Sequence, residues 1–178
     1  MKKTFLMPLL TLVLAAAVLL GLTFGLKGVA SANAQKEHLT MMQTLLPGSE
    51  SFTVEVYTGE DENIRSVHKS ENGYVIEVAI QGYADEIVML VGVSNDGKVK
   101  GLVVRDSHET YGLGNNALFD WEYLAQYLNT QGDAQVGENV DAITGATVTS
   151  KAITRCVNSA VAYVTGTDTD SGATSWGG

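Results

Sequence analysis

Between Thr4 and Leu26 lie 23 consecutive residues without a charge, bounded by Lys2 and Lys3 on one side and Lys27 on the other. Coiled as a helix they extend about 35 Å, enough to cross the hydrocarbon core of a bilayer. The lysines ahead of the run place residues 1–3 in the cytoplasm and everything after residue 26 outside it. A cleaved signal peptide is the alternative, because Ala32-Asn33-Ala34 offers small residues at a cleavage position. The run is longer than the roughly 7 to 15 apolar residues of a signal core, which favours a retained anchor. The chain is thus expected to be a single-pass protein of the cytoplasmic (inner) membrane with its body on the extracytoplasmic side.

That body is acidic. Three of the chain's 11 basic residues lie in the first 27 positions and none of its 20 acidic ones does. A field of that sign repels phosphate backbones, so nucleic acid is excluded as a partner. Cys156 is the single cysteine, and His38, His68 and His108 are far apart in sequence. Neither an iron–sulfur cluster, a c-type haem nor a local metal site is indicated. With so little reactive chemistry of its own, the chain is expected to borrow its reactivity.

The remaining residues divide by periodicity. Ala34 to Leu46 reads as a short helix within a stalk over 27–50, stopped by Pro47-Gly48. Phe52–Tyr57, Tyr74–Ile80, Ile87–Val93 and Val99–Arg105 read as strands, and Asn95-Asp96-Gly97 is a hairpin turn between the last two. A helix is expected from about Leu118 to Leu128. Another is expected from Ser150 to Val164, where Ala152, Ile153, Cys156, Val157, Ala160, Val161 and Val164 form one apolar stripe. Cys156 then belongs to the core. The tail, 165–178, is expected to be disordered. The architecture is a small α+β domain over 51–164, following a single N-terminal transmembrane helix.

Residues 141–150, DAITGATVTS, sit immediately before the helix from Ser150. A helix N-terminus exposes unpaired N–H groups and the positive end of the helix dipole. Gly145 and Ala146 keep bulk low there, Thr144, Thr147 and Thr149 supply hydroxyls, and Lys151 adds a charge in the first turn. Such a place suits a phosphate. The same residues also suit an ordinary turn followed by a Thr149 or Ser150 cap. From local physics alone both readings stand.

The stretch from Asp141 through Thr144, Gly145 and Ala146 to Thr147 resembles the flavinylation motif of the FMN-binding domain family, Asp-x-x-Ser/Thr-Gly-Ala-Thr. The resemblance implies FMN joined through its phosphate to the Thr147 hydroxyl by a separate flavin transferase. That explains why no base stands beside the hydroxyl. Upstream, Glu109-Thr110-Tyr111-Gly112-Leu113-Gly114 is similar to the family's Glu-Thr-Pro-Gly-Leu-Gly, with Tyr111 in place of proline. By the same resemblance Glu109 and Thr110 line the flavin pocket. Leu113, Leu118, Phe119 and Trp121 either cover the ring or belong to the core. The family often carries a histidine where Ser107 stands here, and His108 is one residue late, so no role passes to it.

The layout of one membrane helix and one small domain resembles the G subunits of Rnf-type complexes, ion-translocating ferredoxin:NAD⁺ oxidoreductases. The resemblance implies an electron-relaying subunit whose partners are the other membrane subunits. Two other readings remain: an extracellular flavin-linked reductase or its feeder domain, and a flavin-free membrane-anchored binding module. Residues 168–174, DTDSGAT, repeat the motif pattern, so Thr174 is a second candidate attachment site without a following helix.

Overall fold

The computed structural model describes residues 6–112 and 114–167. The candidate second motif at 168–174, with Thr174, lies outside the described residues, as do Leu113 and residues 168–178 of the tail expected to be disordered from 165; Thr165 is instead the last residue of a helix and Gly166 its C-cap. The chain divides into two compact units, Met1–Thr40 and Met41–Gly178. Helix α1 spans Leu6–Leu45, so its last turn belongs to the second unit. The separate helix expected from Ala34 is a continuation of α1. No proline interrupts the backbone between Pro8 and Pro47, and the stop comes at Pro47-Gly48, where Gly48 has φ +86°. Most side chains of the apolar run over 4–26 lie outside the described residues. Among the described residues, no helix is long and apolar enough to cross a membrane.

The second unit is built on a five-stranded antiparallel meander in the order β1-β2-β3-β4-β5. The strands are β1 (Thr53–Glu55), β2 (Ile64–Ser70), β3 (Gly73–Gln81), β4 (Glu86–Ser94) and β5 (Val99–Ser107). The expected Asn95-Asp96-Gly97 turn joins β4 to β5, with Gly97 at φ +79°. The sequence reading missed β2. A bulge between Ile64 and Ser66 breaks its alternation, and its outward positions are polar.

Both faces of the central strands are covered, which is why β4 reads as a continuous apolar run. Ile76, Val78, Ile87, Met89 and Val91 point to the main core, where they meet helix α4 (Thr147–Thr165). Cys156 is buried in that core, as its place on the apolar stripe implies, and burial pushes its thiol up from the ordinary range. The helix expected over 118–128 is instead two short ones, α2 (Gly114–Phe119) and α3 (Trp121–Ala125). Asp120 separates them, its carboxylate accepting from Tyr123 N at 3.2 Å as an N-cap.

On the opposite face Val75 and Leu90 pack against Met42, Leu45 and Leu46. Gly92 and Gly101, paired across β4 and β5, form the notch that admits Leu45. A Cβ on Gly92 would run into the Leu45 carbonyl, and one on Gly101 would lie 2.9 Å from Leu45 Cα. Gly92→Val should therefore destabilise the domain by about 1–3 kcal/mol through overpacking against backbone. Urea unfolding should show it as a lower midpoint at unchanged slope.

Candidate functional site

The stretch 141–150 reaches α4 through a turn at Thr144 and Gly145. Gly145 has φ +80°, a left-handed conformation that a side chain would strain. Ala146 N donates to the Ile143 carbonyl at 2.9 Å, and Ala146 is the helix N-cap. The helix thus starts at Thr147, three residues before the expected Ser150. Neither Thr149 nor Ser150 caps it, because both hydroxyls point inward. Thr149 Oγ1 donates to Glu109 Oε2 at 3.1 Å, and Ser150 Oγ accepts from Ile143 N at 3.3 Å.

The N-terminus of α4 is consequently without a side-chain cap. Among the described residues the N–H groups of Thr147, Val148 and Thr149 find no acceptor. These are the orphan donors of a first helical turn, and the dipole adds partial positive charge. Thr147 is exposed in the first helical position, so its hydroxyl lies beside those donors. Thr144 and Gly145 are exposed as well, and Lys151 is half-buried one turn further on. Open N–H groups, an accessible hydroxyl and a nearby ammonium are a donor set that fits a phosphate ester.

Beneath this end lies Glu109, 9% exposed. Its Oε1 accepts from Ala84 N at 3.2 Å in the turn between β3 and β4, while Oε2 accepts from Thr149. Gly82 and Gly114 close around the carboxylate. A Cβ on either would run into it, and on Gly114 it would also stand 2.6 Å from Thr149 Oγ1. Glu109 thus fastens three segments together: the β3–β4 turn, its own loop and the start of α4. The two sequence motifs meet here.

A second buried network supports the other side of the loop. Tyr123 and Tyr127 hydroxyls lie 2.8 Å apart, and Tyr127 reaches Thr154 Oγ1 at 2.8 Å. Thr154 Oγ1 in turn donates to the Ser150 carbonyl at 3.0 Å. Burial raises both phenols above their ordinary range, so they stay protonated donors. Asp141 is anchored through its backbone N–H to Gln126 Oε1 at 2.9 Å. Its carboxylate faces solvent in an exposed residue and contributes to raising Tyr123.

The expected residues therefore separate into groups. Glu109 and Thr149 are joined by a hydrogen bond, and Gly145, Ala146, Thr147 and Lys151 belong to the start of α4. Thr110 and Thr144 are exposed and Asp141 is a loop anchor. Leu118 is core at 1% exposure, whereas Phe119 and Trp121 face solvent. His108 is exposed and stands 3.8 Å from Asp85, a surface contact. The sequence reading missed Ala84, Gln126 and the two tyrosines. The i, i+4 spacing of Tyr123 and Tyr127 was the available signal for the pair; nothing local marked Ala84.

The segment that carries both motifs, residues 82–162, matches the FMN-binding domain family. This segment belongs to that family. The match opens at the β3–β4 turn fastened by Glu109 and runs through most of α4. The chain is also similar to the G subunit of the proton-translocating ferredoxin:NAD(+) oxidoreductase complex of Clostridium ljungdahlii. The two are 39% identical over 99 residues, 52% of this chain and 53% of that protein. The G subunit of the Na(+)-translocating complex of Acetobacterium woodii is 36% identical over 98 residues, 50% of this chain and 47% of that protein. The chain spans about half the length of the curated relatives it matches. Among solved structures, Shewanella oneidensis NqrC aligns with 70% of this chain and 73% of that chain. The two are 19% identical, with a TM-score of 0.45.

Within this FMN-binding-family domain the Glu109 junction should be measurable on its own. Glu109→Ala strands the Thr149 hydroxyl and the Ala84 N–H, costing about 1–3 kcal/mol. Hydrogen exchange should quicken at residues 82–85 and 110–114 and at the first turn of α4, with β2 unchanged.

Proposed function

We propose that this chain is an FMN-carrying electron-transfer subunit of an Rnf-type membrane complex, with FMN joined through its phosphate to Thr147 Oγ1. The observation that carries the reading is the exposed Thr147 hydroxyl at the first position of an uncapped helix, inside the matched segment. The open N–H groups and Lys151 would hold the phosphate, and the slim Gly145-Ala146 turn would leave room for a transferase to reach the hydroxyl. FMN, when bound, supplies the electron-accepting ring that the chain's own side chains lack. The covalent link keeps the flavin with its domain outside the cytoplasm, where a dissociated one is not replaced.

The partners in this reading are the other membrane subunits of the complex and the flavin transferase that loads the chain. The relatives are named as G subunits of ion-translocating ferredoxin:NAD(+) oxidoreductases, which supports the assignment to such a complex. The 23 charge-free residues of 4–26, flanked by lysines, support a single-pass anchor with the domain on the extracytoplasmic side. Asp141, Thr144 and Thr110 are assigned to recognition and lining of the site, with Glu109 and Thr149 supporting it from below and Leu113 in the same loop.

Intact mass and peptide mapping of the chain purified from its native membrane test the reading. The expected result is an added mass of one FMN less one water, on the peptide containing Thr147. Thr147→Ala should abolish the addition while shifting unfolding free energy by less than about 0.5 kcal/mol, as for an exposed residue away from the core. Full retention of covalent flavin by that variant sinks the assignment.

A further inference from the structure

Between its first turn and Val161, helix α4 meets solvent along one narrow line. From Ala152 to Val161 every residue except Arg155 is buried, as are Thr149 and Ser150. Thr147 and Val148 are exposed, and Lys151 and Arg155 are half-buried. Thr147, Lys151 and Arg155 are each four residues apart, so they follow one another along one side of the helix. Lys151 then stands about 6 Å, and Arg155 about 12 Å, along the axis from Thr147.

The charges on this line are unusual for the chain. Lys151 and Arg155 are the only Lys or Arg residues after Arg105. Arg65 and Arg105 are paired to carboxylates of Glu86 and Glu77, but Arg155 makes no ion pair or hydrogen bond among the described residues. A guanidinium presents five N–H donors in a rigid fork. In a body so rich in carboxylates, one left without an acceptor is set towards an anionic group that the chain does not itself supply.

Resting on the reading that Thr147 carries FMN, we propose that Lys151 and Arg155 form a cationic rail along α4, with Arg155 facing the pyrimidine edge of the flavin and favouring its reduced form. With its phosphate on Thr147, an FMN would have the reach to follow this line past Lys151 to Arg155. Reduction of a bound flavin by two electrons and one proton would leave one negative charge on its N1–C2=O edge. A fixed cation beside that edge lowers the free energy of the charged form. Arg155 is thus a positioning and tuning residue, and Lys151 serves the phosphate end of the rail.

The test is a potentiometric titration of the full-length flavinylated chain in detergent, with dithionite as electron source and solvent as proton source. Loading on Thr147 is verified by mass in every sample. At the potential that half-reduces the wild-type flavin, Arg155→Gln should lower the reduced-to-oxidised ratio about fivefold, the size expected for a partly screened charge. Arg155→Lys should restore most of it, the difference should shrink at high salt, and Arg65→Gln should leave the ratio unchanged. Equal ratios for wild type and Arg155→Gln, with flavin on Thr147 in both, overturn the rail and leave the carrier reading intact. Poorer loading of Arg155→Gln with an unmoved ratio in the loaded fraction also overturns it, and assigns these cations to docking of the transferase. A wild-type chain without flavin mass on Thr147 removes the carrier reading itself, and the rail with it.

Discussion

The hydrogen bond from Thr149 to Glu109 organises the end of the domain at which α4 begins. Placed one turn into α4, a threonine hydroxyl and a serine hydroxyl could both have served the local backbone. Instead each is drawn inward, Thr149 to a buried carboxylate and Ser150 to the Ile143 N–H. The helix end is left open as a result. Hydrogen bonds to a charged acceptor in a water-poor site are stronger than neutral ones, so this junction outcompetes capping. The glycines at 82 and 114 make it possible, because the carboxylate occupies the space their side chains would need.

The rest of the fold serves to hold that end still. The meander gives α4 a wide apolar seat, and α3 with the turn after it brings Tyr123 and Tyr127 under the loop from the other side. The last turn of α1 seals the sheet's far face at the Gly92–Gly101 notch. Each face of β3 and β4 is therefore committed to packing. What stays open to solvent is the loops at one end of the sheet and the exposed side of α4.

Much of this was legible in the chain. The apolar stripe over 152–164 located α4 and placed Cys156 in the core. Asn95-Asp96-Gly97 and Pro47-Gly48 marked a turn and a helix stop that the backbone uses. The motif at 141–147 pointed to the same helix end that the geometry leaves open. The failures have physical causes. Strand β2 was hidden by its bulge and polar outer face. The start of α4 was misplaced because Thr149 and Ser150 looked like caps, and only a partner 40 residues away in sequence shows otherwise. The break at Asp120 carried a readable signal, an acid at a helix start, that the apolar spacing around it obscured.

The position of Thr147 has one mechanical corollary. Threonine is branched at Cβ, so in a helix its side chain has few rotamers, and its backbone belongs to a helix seated along most of its length in the core. The protein's own share of any tether there would be short and stiff, unlike the long side chain of a lipoyl or biotinyl lysine, so any swing would come from the carried group alone. Any exchange over distance would require the domain to travel as a body, or the partners to come to it.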